Sequence, residues 1–345
     1  MNILIVCDSK MPVSPYDDKG RQVWWLGSAL SESGHNITLM LKEKVECPFA
    51  RTLIYQEKKP LSEQIPDNTD IIHFHQEPKT DPGVPYLITL HENVLLPRTL
   101  DRNTVFLSHS HAQLHGGSVY VHPGIDFSSY TPPDFSAKRI WFHFLGNAAR
   151  KGRNIRGAID IAQKSGGRLH VVGGSRVNFR QGFRIPLSSS ARFHGMLSPD
   201  GRDTILNSSK GLIIPLLWQE PFSLSVVESL YYGCPVFGTP YGALPEQLGK
   251  KPAQRQGSFP ASGSVEAFYS EFGSLSVKKA ELIDAVRTAA EFDQLRCHEY
   301  AVSGFSARRM ADDYIRLYEQ VIKGIPLSAE APATKGIDDS TLVLG

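Results

Sequence analysis

Pro215-Leu216-Leu217-Trp218-Gln219-Glu220-Pro221-Phe222-Ser223-Leu224-Ser225-Val226-Val227-Glu228 is the stretch on which the reading of fold and site turns. Residues 211–215 read as a buried apolar strand. The residues after Glu220 read as a short amphipathic helix that stops at Gly233, with Pro235 two positions on to block its continuation. Strand, turn and helix in that order are one step of a doubly wound α/β sheet. The spacing puts two carboxylates, Glu220 and Glu228, roughly 12 Å apart along a helix axis. Paired hydrolytic carboxylates stand only about 5–9.5 Å apart, so these two cannot share one reacting bond. They suit the two ends of a long ligand. Between them the helix start, Phe222, Ser223, Leu224 and Ser225, offers free N–H groups and a partial positive charge where a phosphate would sit. A sugar at one end, a diphosphate over the helix start and a ribose at the other is the ligand this spacing suggests.

The same alternation extends in both directions. Upstream, apolar runs at residues 3–7, 36–41, 70–75, 86–90, 104–108 and 119–122 predict a parallel sheet wrapped by helices. A loop with Pro12, Pro15 and Gly20 follows the first run. The helix after it carries Val23, Leu26 and Leu30 on one face and ends at Gly34. After Pro132 and Pro133 a second set begins, with strands at residues 140–145, 169–172, 211–215 and 235–238 and a helix at residues 155–164. Met310, Tyr314, Leu317 and Val321 share a face of a last helix, and the stretch from Gly324 reads as a loose tail. The expected division is 1–130, 138–304, a crossing helix at 305–323 and a flexible tail at 324–345. Two doubly wound domains facing each other would place a cleft at the C-terminal ends of both sheets.

Bulk properties narrow the class. The 345 residues suffice for about two domains. A net charge of +2 is too mild to argue for a nucleic-acid partner. Cys7, Cys47, Cys234 and Cys297 lie far apart with no C-x-x-C, which predicts reduced thiols rather than a disulfide framework. The N-terminus turns polar too soon for a signal peptide, and no apolar run approaches the roughly 18 residues of a membrane span. A cytoplasmic protein is expected, with peripheral contact at the inner face of the membrane left open.

On these residues the chain resembles the retaining nucleotide-sugar glycosyltransferases of family 4, which have the GT-B architecture of two Rossmann-like domains. The family's E-x7-E motif is matched by Glu220 and Glu228, and the segment after it by Gly233-Cys-Pro235-Val and Gly242-Ala-Leu-Pro245-Glu246. The resemblance implies that Glu220 contacts the donor sugar and Glu228 takes the ribose hydroxyls. Phe144-Leu145-Gly146-Asn147-Ala-Ala-Arg150-Lys151-Gly152 is similar to the family's G-R-x4-K-G element, whose cations neutralise the diphosphate. Lys151 matches it. Asn147 stands at the family's Arg position, with Arg150 the candidate replacement. Leu87-Ile-Thr-Leu90-His91 is similar to the element whose His lies beside the transferred sugar, and the loop ending at Gly20 corresponds to the family's Gly-rich loop. His122-Pro-Gly124-Ile-Asp126 and residues 305–322 are similar to the elements that close the first domain and cross back to it. Ser223 stands where Gly is usual. Base recognition would rely on backbone near Met196 and Leu197.

The implied chemistry is metal-independent transfer of a hexose from a UDP- or GDP-sugar, with retention, to a saccharide or lipid-linked acceptor in cell-surface polysaccharide or lipopolysaccharide synthesis. His91 and Glu220 would act at the sugar. Gly20, Gly146, Asn147, Arg150, Lys151, Phe222, Ser223, Leu224, Ser225 and Glu228 would hold the donor. No cofactor is expected. The pairs His73/His75 and His109/His111, read as alternate residues on strands, could each chelate, but no Cys or acid cluster completes a metal site. His91 has the rival reading of a satisfied buried residue, and Trp24 and Trp25 read as packing between helix and sheet. Arg176, Arg180 and Arg184, with Phe179 and Phe183, read as surface, with an anionic or phospholipid contact as the alternative. The competing functions are an inactive nucleotide-sugar-binding module, and an epimerase or phosphorylase on the same architecture. No G-x-G-x-x-G follows residues 3–7, which weighs against a dehydrogenase.

Overall fold

A computed structural model of the chain describes all residues except 11–16, 250–266 and 339–341, and between 175 and 188 it describes only the backbone of two short strands. The loop prolines Pro12 and Pro15, and the side chains of Arg176, Phe179, Arg180, Phe183 and Arg184, lie outside the described residues. The chain divides into two units, Met1–Phe127 with Phe305–Ile337, and Ser128–Gly304 with Asp338–Gly345.

The first unit is built on β1 (Asn2–Val6), β2 (Asn36–Leu41), β3 (Arg51–Ile54), β4 (Ile71–Phe74), β5 (Tyr86–Thr89), β6 (Arg98–Thr99) and β7 (Thr104–Val105). Its main sheet is all parallel, in the order β3-β2-β1-β4-β5-β7. Ile3, Leu4, Ile5 and Val6 are all buried, as expected of a central parallel strand covered on both faces. Helix α1 (Asp18–Glu32) follows β1, capped by Asp17, whose carboxylate accepts from the Gly20 N–H at 3.0 Å. It ends before Gly34, whose φ of +85° suits glycine. Of the two tryptophans, Trp25 is buried, and Trp24 meets the Phe49 ring edge-on at 4.8 Å. The expected strand at residues 119–122 is reduced to a single bridge between Phe106 and Tyr120. His109 and His111 lie in α2 (His109–Leu114), not on a strand, and positions two apart on a helix point away from each other.

The second unit contains β8 (Trp141–Leu145), α3 (Ile155–Lys164), β9 (Leu169–Val172), the antiparallel pair β10 (Val177–Asn178) and β11 (Phe183–Arg184), β12 (Ala191–Gly195), α4 (Pro199–Asn207), β13 (Ser209–Ile214), α5 (Leu224–Tyr231), β14 (Val236–Gly238), α6 (Leu244–Gln247), β15 (Phe268–Ser270), β16 (Gly273–Leu275), α7 (Lys279–Arg287) and α8 (Gln294–Gly304). The sheet order is β12-β9-β8-β13-β14-β16-β15, parallel except for β15 on the edge. The winding reverses between β8 and β13. In such sheets ligands bind outside the C-terminal strand ends at that reversal. The loops leaving β8 and β13 carry Gly146–Arg153 and Pro215–Ser223, so the fold brings together the two motifs the sequence singled out.

Helix α5 departs from the amphipathic expectation, because all eight of its residues are buried. It is packed among β13, β14, α6 and α8, which leaves it no solvent face. It begins at Leu224, so Glu228 sits mid-helix and Glu220 in the turn before it.

The chain then returns to the first unit through α9 (Ala307–Ile322), capped by Ser306. Some residues of the stretch read as a flexible tail are hydrogen-bonded to each unit. β17 (Ala333–Thr334) pairs with β6 in the first unit. In the second unit, Lys279 N–H donates to the Gly345 carbonyl at 2.7 Å and the Tyr241 hydroxyl to the Val343 carbonyl at 2.8 Å.

Candidate functional site

In the second unit the loops after β8 and β13 are stitched to each other. Asn154, held at φ +50°, caps α3 by accepting from Gly157 N–H, and its amide donates to the Pro215 carbonyl at 2.9 Å. Leu217 N–H donates to the Gly152 carbonyl at 2.7 Å. Trp218 lies against Gly152, where an added Cβ would come within 3.1 Å of its side chain. The Arg150 guanidinium stacks over the same indole, 3.8 Å from the ring centroid. Arg150 is thus held against Trp218. Lys151 beside it is exposed and makes no ion pair among the described residues. Asn147 is exposed, and its side-chain oxygen accepts from Ala149 N–H at 3.0 Å, shaping the loop as an Asx turn. Gly146 has φ +138° and donates to the Val172 carbonyl.

Glu220 is only 4% exposed. Its Oε2 stands 3.2 Å from Nη2 of Arg153, which is itself buried. Sequence reading passed over Arg153; the one available signal was a third cation directly after Lys151-Gly152. The Glu220 backbone is fixed from the other side. Ala243 N–H donates to its carbonyl at 2.8 Å, and Gly242 N–H donates to the Gln219 side chain at 2.7 Å. Gly242 has φ +64°, and a Cβ there would meet the Glu220 carbonyl oxygen at 2.2 Å. That close approach explains the glycine in Gly242-Ala-Leu-Pro245.

Glu228 faces a different environment. Its Oε1 accepts from the Tyr130 hydroxyl at 2.7 Å and from Arg202 Nη1 at 3.1 Å. Arg202 also pairs with Asp203 at 3.1 Å and lies over the Tyr130 ring. Glu228, Arg202 and Asp203 are all buried, so the second acid of the motif is held by a preformed ionic network. Neither Arg202 nor Tyr130 is legible as a partner in the sequence, because α4 and the segment before β8 meet α5 only in the fold.

At the start of α5, Ser223 N–H donates to the Gln247 side chain at 3.1 Å, Gln247 Nε2 returns a bond to the Ser223 carbonyl, and the Ser223 and Ser225 hydroxyls bond each other at 2.8 Å. No side chain caps the helix, and the N–H groups of Leu224 and Ser225 meet no acceptor among the described residues. Phe222, Ser223, Leu224 and Ser225 are buried. The helix therefore presents uncompensated donors at its positive end, which suits an anion.

In the first unit, Gly20 does not lie in a loop. It sits in the first turn of α1, where its N–H serves the Asp17 cap and a Cβ would strike the Asp17 carboxylate at 2.6 Å. Gly20 thus closes the loop as part of the helix cap. His91 follows β5 and shares a hydrogen bond with His75, Nε2 to Nδ1 at 2.8 Å. His75 stacks on His73 at 4.1 Å. His73 is enclosed, bonded through Nδ1 to the Tyr318 hydroxyl and through Nε2 to Thr89, which also meets the Tyr314 hydroxyl. Burial, then the neighbouring histidine, holds His91 well below the ordinary histidine pKa, as it does His73 and His75, so all three stay neutral. His91 Nδ1 and His75 Nε2 are enclosed without a hydrogen-bond partner among the described residues. Among those residues no three His, Cys, Asp or Glu side chains gather as metal ligands, and no helix is long and apolar enough to cross a membrane.

The fold is that of the GT-B glycosyltransferases. AviGT4, a glycosyltransferase of avilamycin A biosynthesis, superposes with a TM-score of 0.70 at 20% identity, covering 94% of this chain and 99% of its own. Sucrose-phosphate synthase from Thermosynechococcus elongatus gives 0.66 at 14% identity, covering 94% of this chain and 99% of its own. Anabaena HepE in complex with UDP-glucose gives 0.57 at 14% identity, over 94% of this chain and 99% of its own. Residues 144–276 match the family model described as Glycosyl transferases group 1. That span contains Lys151, Arg153, Glu220 and Glu228. No match is found among curated protein sequences.

Proposed function

We propose that the protein is a retaining, metal-independent glycosyltransferase that moves a hexose from a UDP- or GDP-sugar to a saccharide or lipid-linked acceptor in the building of a cell-surface polysaccharide. One observation carries most of the reading. The exposed Lys151 follows β8, and Glu220 and the uncapped start of α5 follow β13, on the two loops at the strand reversal inside the segment that matches the group 1 glycosyltransferase model. HepE, a structural relative, is described with UDP-glucose, which supports a nucleotide-sugar donor.

The reaction breaks the bond between the anomeric carbon and the nucleotide diphosphate, and negative charge grows on the departing phosphate. The N–H groups of Leu224 and Ser225 and the Lys151 ammonium stabilise that charge. Glu220 positions the sugar and favours the positive charge developing on its ring. The departing phosphate takes the acceptor's proton, so the acceptor oxygen bonds the anomeric carbon on the face the diphosphate leaves. Glu228, oriented by Arg202 and Tyr130, anchors the ribose. His91, in the first unit, stays a neutral imidazole. The protein works in the cytoplasm.

Calorimetric titration with UDP, GDP, ADP and CMP tests the reading. One nucleotide should bind, and Lys151→Met should weaken a diphosphate about tenfold or more, the equivalent of one charge-assisted hydrogen bond. Binding of none of the four would reject it.

A further inference from the structure

The pair Arg153–Glu220 has a feature that its ion pairing leaves unexplained. Arg153 is 8% exposed, yet its Nη1 has no hydrogen-bond partner among the described residues. A buried donor left unmade is costly, and a charged one more so. The guanidinium lies against Gly146, where an added Cβ would stand 3.6 Å from Nη1, so the loop keeps that side bare. In the loop stitched to it, the Trp218 indole N–H is also enclosed without an acceptor among the described residues. Two buried donors with no acceptor among the described residues, and a carboxylate alongside one of them, suit a ligand oxygen.

The charge says which kind of oxygen. Nη2 is already 3.2 Å from the Glu220 carboxylate, so the pair sums to zero. A neutral pair has little net attraction for a phosphate, and the acid would repel it. A hydroxyl fits better, because it accepts from the guanidinium and donates to the carboxylate at once. We infer that Arg153 is a further donor-binding residue, which with Glu220 brackets one hydroxyl of the transferred sugar. Nη1 donates to the hydroxyl oxygen, and the hydroxyl proton goes to the carboxylate. The inference rests on the nucleotide-sugar reading above. Within it, Arg153 selects hexoses that keep this hydroxyl over those that have lost it.

Removing Arg153 alone would leave Glu220 buried without its cation, so the test is run in a neutral background. Glu220→Gln and the double variant Arg153→Met/Glu220→Gln are titrated with UDP, GDP and ADP and with their hexose conjugates, beside the wild type. The expected result is that the double variant keeps the affinity of Glu220→Gln for the diphosphate but binds the hexose conjugate about ten- to a hundredfold more weakly. A parallel fall for diphosphate and conjugate would overturn the assignment, since Arg153 would then serve the phosphates or the loop. No change in either would overturn it as well. A wild type that binds no diphosphate or hexose conjugate of the panel would reject the donor reading itself, and this inference with it.

Discussion

Arg202→Met should destabilise the second unit far more than Glu228→Gln, although the two residues touch. Arg202 stands between two buried carboxylates, 3.1 Å from Glu228 Oε1 and 3.1 Å from Asp203 Oδ1. With all three ionised the group sums to −1. Taking away the guanidinium raises the buried charge to −2 and strips both acids of a donor, a change that costs about 3–5 kcal/mol. Glu228→Gln instead leaves Arg202 with Asp203, a neutral pair, and keeps an oxygen for the Tyr130 hydroxyl. It trades a charge-assisted bond for a neutral one, about 1 kcal/mol. For a unit of this size each kcal/mol moves the thermal midpoint by about 2–4 °C, so the two variants should fall by about 10 °C and 3 °C. Differential scanning calorimetry of the full chain reads both. The double variant should be more stable than Arg202→Met alone, because it removes one of the two stranded carboxylates. A double variant less stable than Arg202→Met, or an Arg202→Met no worse than Glu228→Gln, would refute the charge argument.

Other outcomes follow from single contacts. Gly242→Ala forces a Cβ to 2.2 Å from the Glu220 carbonyl at a φ of +64°, so it should lower both thermal midpoint and nucleotide binding. Gly166→Ala, at φ +80° with open space around it, should cost only about 1 kcal/mol and leave binding intact; calorimetry of both variants checks the contrast. Burial, before any neighbouring charge, pushes His143 down to about 3, and its ring is fixed between the Ser209 and Ser229 hydroxyls at 2.6 and 2.8 Å. The unfolded chain binds a proton there below about pH 6.5 that the folded chain refuses, so this stability is present above that pH and is lost as pH falls toward 3. By pH 5 the loss is about 2 kcal/mol, and His143→Gln should narrow the difference in unfolding free energy between pH 7 and pH 5 by that amount. Burial raises the thiols of Cys234 and Cys297 to about 11 and about 12, while Cys47 is half-buried. In the native protein an aromatic disulfide reagent should therefore modify Cys47 first, and Cys234 and Cys297 only on unfolding.

The alternation of apolar runs and helical faces was enough to read two doubly wound sets, because a parallel strand covered on both faces must be continuously apolar. Residues 36–41 and 169–172 could be bounded from sequence for that reason, and 155–164 by the helical period of its apolar face. The edge strand Arg51–Ile54 and the strand Ala191–Gly195 escaped it, since neither has a fully buried face to leave a pattern. The same limit governs the site. Glu220, Glu228 and Lys151 stand out because their motifs are local, with fixed spacing along the chain. What each of them touches was decided only by the tertiary structure. Arg153 meets Glu220 and Arg202 meets Glu228 across 67 and 26 positions of chain, through loops that hydrogen bonds at Asn154 and Gly242 hold in place. Ion pairing depends on distance in space, and no periodicity records it. The sequence by itself determined the layers and the motif residues; the strand reversal between β8 and β13 decided which of them meet.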